Sequence, residues 1–302
     1  MKKVYSVRVA GTGMRLPENC YTNDDVIKKI NAAQKAAGLD VKELNSAWIE
    51  ENIGIKTRYY FGDDELLVDV SVEAVERALT AAGWQAADLE FVVVASISVH
   101  TEDDSTVIPS VACRVQEQLG AYRAFAYDSL AACSGFLYAM GQGVSFIESG
   151  FCQRGVVICA ERQLPGLNFS DHRSSILIGD VATATLLERS TESKINSMRL
   201  RANDDKHLSD IIRLEYYRFN ESGDRHRGYF SLQGKAVFKE GIRTMITLTL
   251  EALHDNGLTP DEVDWFIYHQ ANGAMLRMVG DKVGFSPEKN LMNIDQLANT
   301  TG

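Results

Sequence analysis

Two segments of the chain repeat one another, and this repeat limits the folds that are open to it. Residues 78–96 read ALTAAGWQAADLEFVVVAS and residues 252–270 read ALHDNGLTPDEVDWFIYHQ, so they align without a gap at an offset of 174 residues. Each copy describes a helix that ends at a glycine, a short turn and an apolar strand. A duplicated unit of this length predicts two related halves, which we place at 1–190 and 191–302.

The second copy carries its own signal for a helix start. Thr259, Pro260 and Glu262 have the form of a capping box with proline at the first helical position, which predicts a short helical turn. Both copies continue into a further helix, and these helices end at Gly120 and Gly284. The repeat therefore extends beyond the aligned residues.

Apolar strands alternate with helical patterns along the first half. The segments 4–10, 89–98 and 155–161 are rich in apolar and β-branched residues and predict buried strands. The segments 109–120 and 134–149 predict helices, and the first of them begins at a proline and ends at a glycine. Buried strands between helices are typical of a sheet that is covered on both faces, so we assign the chain to the α/β class.

The composition excludes several classes of function. A formal net charge of −10 disfavours a nucleic-acid-binding surface, and no apolar stretch approaches the roughly 18 residues of a membrane span. The five cysteines form no Cys-x-x-Cys pair and the six histidines show no ligand spacing, so we expect neither a disulfide framework nor a metal site. We therefore expect a cytoplasmic protein without nucleic-acid or membrane partners.

Cys133 stands between a predicted strand and a predicted helix, in the sequence DSLAACSGF. A lone cysteine in such a place is most often a small apolar residue of the core. A thiol at the start of a helix also faces the positive end of the helix dipole, which favours the thiolate. The helix that follows is apolar on nearly all faces, so we expect it to be buried. Cys133 alone leaves both readings open.

Two polar residues of the second half occupy comparable places. His269 follows the predicted strand WFIY, and Asn299 lies 15 residues after Gly284, much as Cys133 lies 13 residues after Gly120. Taken singly, the histidine is typical of a structural hydrogen-bonding residue and the asparagine of a turn. A thiol, an imidazole and an amide at related strand ends together favour nucleophilic chemistry.

These segments resemble the β-ketoacyl-acyl-carrier-protein synthase III group of condensing enzymes, which share the thiolase fold. DSLAACSGFLYAM is similar to the nucleophile segment of the family, HQANGAMLRMVGDKVG to its histidine segment, and ANTTG to its Gly-Asn-Thr segment with Ala298 in place of glycine. Weaker similarities at 47–55, 108–120, 178–187 and 232–239 extend along the chain. The resemblance implies duplicated βαβ halves in a layered αβαβα arrangement, with a second half that is incomplete at its C-terminus.

The same resemblance implies a two-step condensation. Cys133 would take an acyl group from an acyl-coenzyme A thioester, and His269 and Asn299 would stabilise the enolate that a malonyl thioester leaves when it loses carbon dioxide. Trp48 and Asn272 match positions that contact coenzyme A. The resemblance also implies an acyl carrier protein as partner, a homodimer, and coenzyme A thioesters as substrates with no permanently bound cofactor.

The sequence departs from the family at several positions. Asn52 stands where the family often has an arginine that grips phosphate, and Ala274 stands where it often has a basic residue for the carrier protein. Glu102 belongs to a long acidic loop. It is interpreted either as a solvent-exposed charged residue or as a base that reaches the active site. A glycine-rich loop that supplies a second oxyanion donor in the family is expected beyond residue 302, so we expect the active site of this chain to be incomplete.

Three other functions stay open at this point. Relatives with the same Cys-His-Asn set transfer the acyl group to oxygen or nitrogen, or join two acyl chains, and a non-catalytic subunit of a heterodimeric synthase is a further alternative. A papain-like cysteine protease also uses Cys, His and Asn in this order. Against the protease, Cys133 is followed by Ser-Gly-Phe rather than by a second cysteine and an aromatic residue, and it lies far from the N-terminus.

Overall fold

The computed structural model describes residues 5–41, 43–99, 108–192, 194–202, 211–215, 217–219, 225–227 and 229–302. In these residues the strands are β1 (Ser6–Arg15), β2 (Asn19–Thr22), β3 (Thr57–Tyr60), β4 (Phe91–Ala95), β5 (Phe125–Ser129), β6 (Arg154–Glu161), β7 (Val181–Ser190), β8 (Ile212–Leu214), β9 (Tyr217–Phe219), β10 (Arg225–Arg227) and β11 (Phe230–Leu232). The helices are α1 (Asn23–Ala36), α2 (Ser46–Ile53), α3 (Leu67–Ala82), α4 (Val111–Leu119), α5 (Gly135–Glu148), α6 (His172–Ser175), α7 (Gly234–Asn256), α8 (Gly273–Val283) and α9 (Ile294–Leu297).

A five-stranded sheet forms the centre of the first half, in the order β1-β7-β6-β4-β5. Strand β4 pairs in parallel with both β5 and β6, whereas β7 runs antiparallel to β6 and to β1. The carboxyl ends of β4, β5 and β6 therefore lie at one edge, which is where α/β folds place their ligands. The predicted α/β class is confirmed.

Helices cover both faces of this sheet. Helices α3 and α4 bury their apolar side chains against one face of β4 and β6, and α5 buries Ala139, Met140, Val144 and Ile147 against the other. Helix α3 also lies directly on β1, because a Cβ placed on Gly13 would come within 2.1 Å of the Ala74 carbonyl oxygen. Only glycine permits that approach between two backbones.

The two copies of the sequence repeat have the same helix end and the same following turn. In the first, α3 ends at Gly83 in the left-handed conformation, and a 3₁₀ turn is closed by reciprocal hydrogen bonds between Gln85 and Asp88. In the second, α7 ends at Gly257 in the same conformation, and the predicted capping box joins Thr259 to Glu262. The backbone N–H of Thr259 donates to the Glu262 carboxylate over 2.8 Å. The predicted helical turn is confirmed.

The strand predicted for WFIY is wrong within the residues described. Phe266 forms an isolated parallel bridge with Asn290, and its neighbours Trp265 and Ile267 are exposed. A strand needs hydrogen-bonded neighbours over several residues, which this segment lacks here. The five strands of the large sheet all lie between residues 6 and 190, while the division at 190 itself stays a prediction.

The expectation that α5 is buried on all sides is also wrong. Its outer face exposes Phe136 and Leu137, and Leu130 at the end of β5 and Phe151 beyond α5 are exposed beside it. An apolar helix is fully buried only if neighbouring elements cover all of its faces. In the single chain, the described residues cover only the face of α5 that packs on the sheet. Strand β5 is also the last strand of the sheet order, so its outer edge is unpaired there.

In the part of the chain that the structure describes, none of the helices is long and apolar enough to cross a bilayer. The same residues contain no cluster of three or more histidine, cysteine or acidic side chains placed to hold a metal ion.

Candidate active site

Cys133 lies in a 3₁₀ turn, Ala132–Ser134, between the end of β5 and the start of α5. The residue before it, Ala132, has φ 45°. This left-handed backbone is unfavourable for a residue with a Cβ. Helix α5 starts very close to β4, because a Cβ placed on Gly135 would lie 3.2 Å from the Ala95 Cβ. The thiol is thus fixed at the carboxyl end of the sheet by a strained turn and a tight helix contact.

The thiol of Cys133 is less acidic than the sequence indicated. Its pKa is raised to about 11, first because the group is desolvated by burial and second because the carboxyl of Glu161 lies near it. The expected thiolate-favouring effect of the helix start is therefore outweighed, because a buried thiol loses more solvation on ionising than the dipole returns. A proton acceptor must accompany any attack by this sulfur.

Asn299 is held by backbone pairing with the segment that precedes β7. Its N–H donates to the Leu177 carbonyl over 2.9 Å, and its carbonyl accepts from the Gly179 N–H over 3.0 Å. The side-chain Oδ1 accepts from the Thr301 N–H over 2.9 Å. The Nδ2 group has no hydrogen-bond partner among the described residues. The Thr301 N–H therefore fixes the orientation of the amide through its oxygen.

The imidazole of His269 is neutral. Burial lowers its pKa to about 4, and a hydrogen bond with the Thr301 backbone opposes that shift only in part. A hydrogen bond that raises the pKa favours the protonated ring, so the ring is the donor in it. His269 and Asn299 are thus both tied to Thr301.

The three predicted residues are brought to one edge of the sheet. A Cβ placed on Gly302 would lie 3.6 Å from the Cys159 Sγ and 4.0 Å from the Ala95 carbonyl oxygen, so the end of the Asn299 segment lies over β4 and β6. Ala95 is also the residue against which Gly135 packs. The start of α5 and the 299–302 segment therefore meet at the carboxyl end of β4.

Backbone strain is concentrated at the same place. Among the residues described, three that are not glycine have positive φ: Ala132 (45°), Ala298 (59°) and Thr301 (68°). Ala132 precedes Cys133 and Ala298 precedes Asn299 in the chain. Thr301 contacts both His269 and Asn299. Residues held in such conformations are common at functional sites, where the surrounding structure enforces them. This clustering is typical of a functional site, and it is an observation that does not depend on the sequence motifs.

The two predicted coenzyme A residues lie on helices that touch each other. Trp48 is 52% exposed on α2, and α2 meets α8 where a Cβ placed on Gly54 would lie 3.3 Å from the Gly273 Cα. Asn272 caps α8, since its Oδ1 accepts from the N–H groups of Ala274 and Met275. The cap gives Asn272 a structural task, so binding by either residue stays a prediction. Glu102 lies outside the described residues.

Two buried carboxyl groups at this sheet edge were missed by the sequence analysis. Glu161 at the end of β6 accepts hydrogen bonds from the Ile97 N–H and the hydroxyls of Ser96 and Ser98. Asp180 accepts from the N–H groups of Phe61 and Gln163. Burial raises their pKa values to about 8 and about 7. The sequence signal for Glu161 was an acidic residue directly after the apolar strand segment GVVICA, which predicts a carboxyl group at the end of a buried strand.

The sequence and the fold of this chain are similar to those of known condensing enzymes. The model of the family 3-oxoacyl-[acyl-carrier-protein (ACP)] synthase III matches residues 127–204, and the model of its C-terminal part matches residues 253–302. A beta-ketoacyl-[acyl-carrier-protein] synthase III from Granulibacter bethesdensis is 34% identical, over 97% of this chain and 86% of the relative. The crystal structure of a 3-oxoacyl-[acyl-carrier-protein] synthase III from Aquifex aeolicus VF5 is 30% identical, with a TM-score of 0.82 over 98% of this chain and 87% of that chain.

A further solved structure shares the fold. The priming beta-ketosynthase from the R1128 polyketide biosynthetic pathway has a TM-score of 0.81 at 24% identity, over 100% of this chain and 85% of that chain. The thiolase-type architecture expected from the sequence is confirmed by these neighbours.

The shifted pKa of His269 makes stability depend on pH in a defined direction. As the pH falls below 6.5 the unfolded chain takes up the proton first, so the free energy of unfolding falls until the folded pKa of about 4 is reached. We expect His269 to account for a loss of about 3 kcal/mol over that range. Urea unfolding of the wild type and of His269→Gln between pH 7 and pH 4 measures it. Equal pH dependence in both proteins would contradict this assignment.

The strain at Ala298 is open to a direct test. Its φ of 59° with ψ −158° belongs to a region that glycine alone occupies without cost. We expect Ala298→Gly to raise the free energy of unfolding by about 1 kcal/mol, the relief of strain exceeding the entropy cost of glycine. The control Ala252→Gly, inside α7, should lower it by about 1 kcal/mol. A loss of stability in both variants would show that Ala298 is unstrained.

Proposed function

The chain belongs to the β-ketoacyl-[acyl-carrier-protein] synthase III family and is a condensing enzyme of the acyltransferase class, and we propose that it joins an acyl group to a malonyl thioester by decarboxylative Claisen condensation through an acyl-cysteine. The observation that carries the proposal is the strained backbone beside Cys133 and beside Asn299, at the carboxyl end of the sheet.

The first step transfers the acyl group to Cys133. Its sulfur attacks the carbonyl carbon of the acyl-coenzyme A thioester, and the carbon–sulfur bond to coenzyme A breaks. The proton of the Cys133 thiol goes to the departing coenzyme A sulfur, so one thiol replaces another and no external base is consumed. The raised pKa of Cys133 supports proton transfer in concert with attack, since a free thiolate is scarce near neutral pH.

The second step generates the carbon nucleophile. A malonyl thioester loses carbon dioxide, and the electron pair of the broken carbon–carbon bond moves onto the thioester as an enolate. His269 and Asn299 donate hydrogen bonds to the enolate oxygen. A neutral imidazole and an amide are suited to this, because both stabilise the charge by hydrogen bonding. The enolate carbon then attacks the carbonyl carbon of the acyl-cysteine, the carbon–sulfur bond to Cys133 breaks as the β-ketoacyl product forms, and the released thiolate takes a proton from water.

Binding of the thioesters is assigned to the junction of α2 and α8. Trp48 offers an exposed indole on which an adenine ring can stack. The capping of α8 by Asn272 occupies its oxygen and leaves the amide N–H groups for the pantetheine chain. The second thioester is carried by an acyl carrier protein. Every step uses side chains of the chain and its two substrates, so the mechanism needs no permanently bound cofactor.

Family membership excludes the papain-like protease, whose fold has no place for this sheet order. Transfer of the acyl group to oxygen or nitrogen, and joining of two acyl chains, share the acyl-cysteine and differ in the second step. A non-catalytic subunit would form no acyl-cysteine. These alternatives are separated by following the two steps independently.

Mass spectrometry of the intact protein with acyl-coenzyme A thioesters of increasing length tests the first step. We expect an acyl adduct on the wild type, none on Cys133→Ala, and a normal adduct on the control Cys152→Ala. An adduct that survives in Cys133→Ala would remove the proposed nucleophile. With malonyl thioester, His269→Ala and Asn299→Ala should keep the adduct and release carbon dioxide about 100-fold more slowly. Unchanged release would favour the alternatives without decarboxylation.

The exposed apolar face beside β5 supports a homodimer. The outer edge of β5 is unpaired among the described residues, and Leu130, Phe136, Leu137 and Phe151 expose apolar surface around it. An unpaired strand edge next to apolar side chains is suited to a second copy of the same surface.

Light scattering after size-exclusion chromatography measures the dimer. We expect a dimer for the wild type and at least about a tenfold higher dissociation constant for Leu137→Arg, because a charge replaces apolar contact at the interface. Leu39 is a matched control, since it is 52% exposed against 54% for Leu137 and lies after α1. Equal effects of Leu39→Arg and Leu137→Arg would place the interface elsewhere.

A further inference from the structure

Glu161 is a fully buried carboxyl group that the proposed reaction does not use. It ends β6 and binds the turn after β4 through the Ile97 N–H (3.0 Å) and the Ser98 hydroxyl (2.6 Å). A carboxyl buried at the edge where substrates enter is costly, since the cost of desolvating its charge is recovered only in part by these hydrogen bonds. Holding a turn needs no ionisable group, so the acid calls for a further explanation.

The side chain of Glu161 lies on the face of the sheet that α5 covers. Cys159, two residues earlier on β6, packs with Ala139 and Met140 of α5, and side chains two apart on a strand share a face. Cys159 is paired in register with Ala95, against which the first residue of α5 packs. Glu161 is two residues nearer the carboxyl end of β6, the same end of the sheet at which the turn that carries Cys133 follows β5.

Few other charges act at this place in the described residues. Among the residues that the structure describes, Glu161 is the one charged group that acts on the thiol of Cys133, and it acts also on Cys159. Asp180, on the segment before β7, raises the pKa of Glu161, and Arg162 lowers the pKa of Asp180. The hydroxyls of Ser96 and Ser98 stabilise the ionised form of Glu161. The thiol and Glu161 therefore form a coupled pair of acids.

We propose that Glu161 is a positioning residue that governs ionisation of the Cys133 thiol: when ionised it keeps the thiol protonated, and when protonated it lets the thiol ionise. The inference rests on the proposed function for its importance to catalysis, because only a nucleophilic Cys133 makes such control useful. It gives the buried acid a task beyond that of holding the 96–98 turn.

Alkylation of Cys133 by iodoacetamide tests this, with the rate followed on the Cys133 peptide by mass spectrometry from pH 7 to pH 10. We expect Glu161→Gln to react about tenfold faster than the wild type at pH 9, since removing a nearby negative charge lowers the pKa of the thiol by about one unit. Cys152, which lies near Glu90 and is not acted on by Glu161, is the internal control and should react equally in both proteins.

Asp180→Asn is the matched variant. This substitution removes another buried carboxyl from the same end of the sheet. Because the charge of Asp180 raises the pKa of Glu161, its removal stabilises the ionised form of Glu161. Alkylation of Cys133 should therefore proceed at the wild-type rate or more slowly. A folded Glu161→Gln that reacts as the wild type does at every pH would overturn the proposal. So would an Asp180→Asn variant that accelerates as much as Glu161→Gln does.

Two readouts keep the proposal testable if Glu161→Gln fails to fold. In the wild type the rate should rise by less than tenfold per pH unit between pH 7 and pH 9, because Glu161 ionises in that range and opposes ionisation of the thiol. Ser98→Ala should accelerate alkylation near pH 8, since it removes a hydrogen bond to ionised Glu161. A full tenfold slope with no effect of Ser98→Ala overturns the proposal. Alkylation requires no acyl transfer, so failure of the proposed function appears separately, as absence of the acyl adduct.

Discussion

The pairing of two backbone segments, 177–179 with Asn299, is the interaction on which the site depends. It joins the end of the chain described here to the strand-rich first half and places the Asn299 amide. The pairing requires Gly179, because a Cβ there would lie 2.4 Å from the Leu297 carbonyl oxygen. A side chain at this position would push the two segments apart and remove the amide from the sheet edge.

Buried polar side chains hold the first of these segments. The Arg58 guanidinium donates to the Ile176 carbonyl over 2.7 Å, and the Tyr60 hydroxyl donates to the Ile178 carbonyl over 3.0 Å. Asp180 then ties the segment to the chain after β3 and after β6. Satisfied polar groups in a low-dielectric interior fix geometry more tightly than apolar contacts do. Buried hydrogen bonds from Arg58, Tyr60 and Asp180 thus fix the 176–180 segment that pairs with Asn299.

Local features were predictable from the sequence, and features set by distant neighbours were not. Glycine stops, the Thr259 capping box and the turn that carries Cys133 depend on residues a few positions apart, so the sequence contains them. Exposure of Leu137 and the raised pKa of Cys133 depend on what packs against α5 and β6. Ala298 lies between these cases: its departure from the family's glycine was visible, but its positive φ required the structure.

Thr301 contacts both donors, through its N–H to Asn299 and through its backbone to His269. The amide contacts the N–H of Thr301 and the imidazole contacts its carbonyl, so the two side chains are positioned by the two peptide groups that flank one residue. A displacement of Thr301 therefore moves both the imidazole and the amide. We therefore expect the free-energy losses caused by substitutions at His269 and Asn299 to be non-additive, because the two residues share a partner.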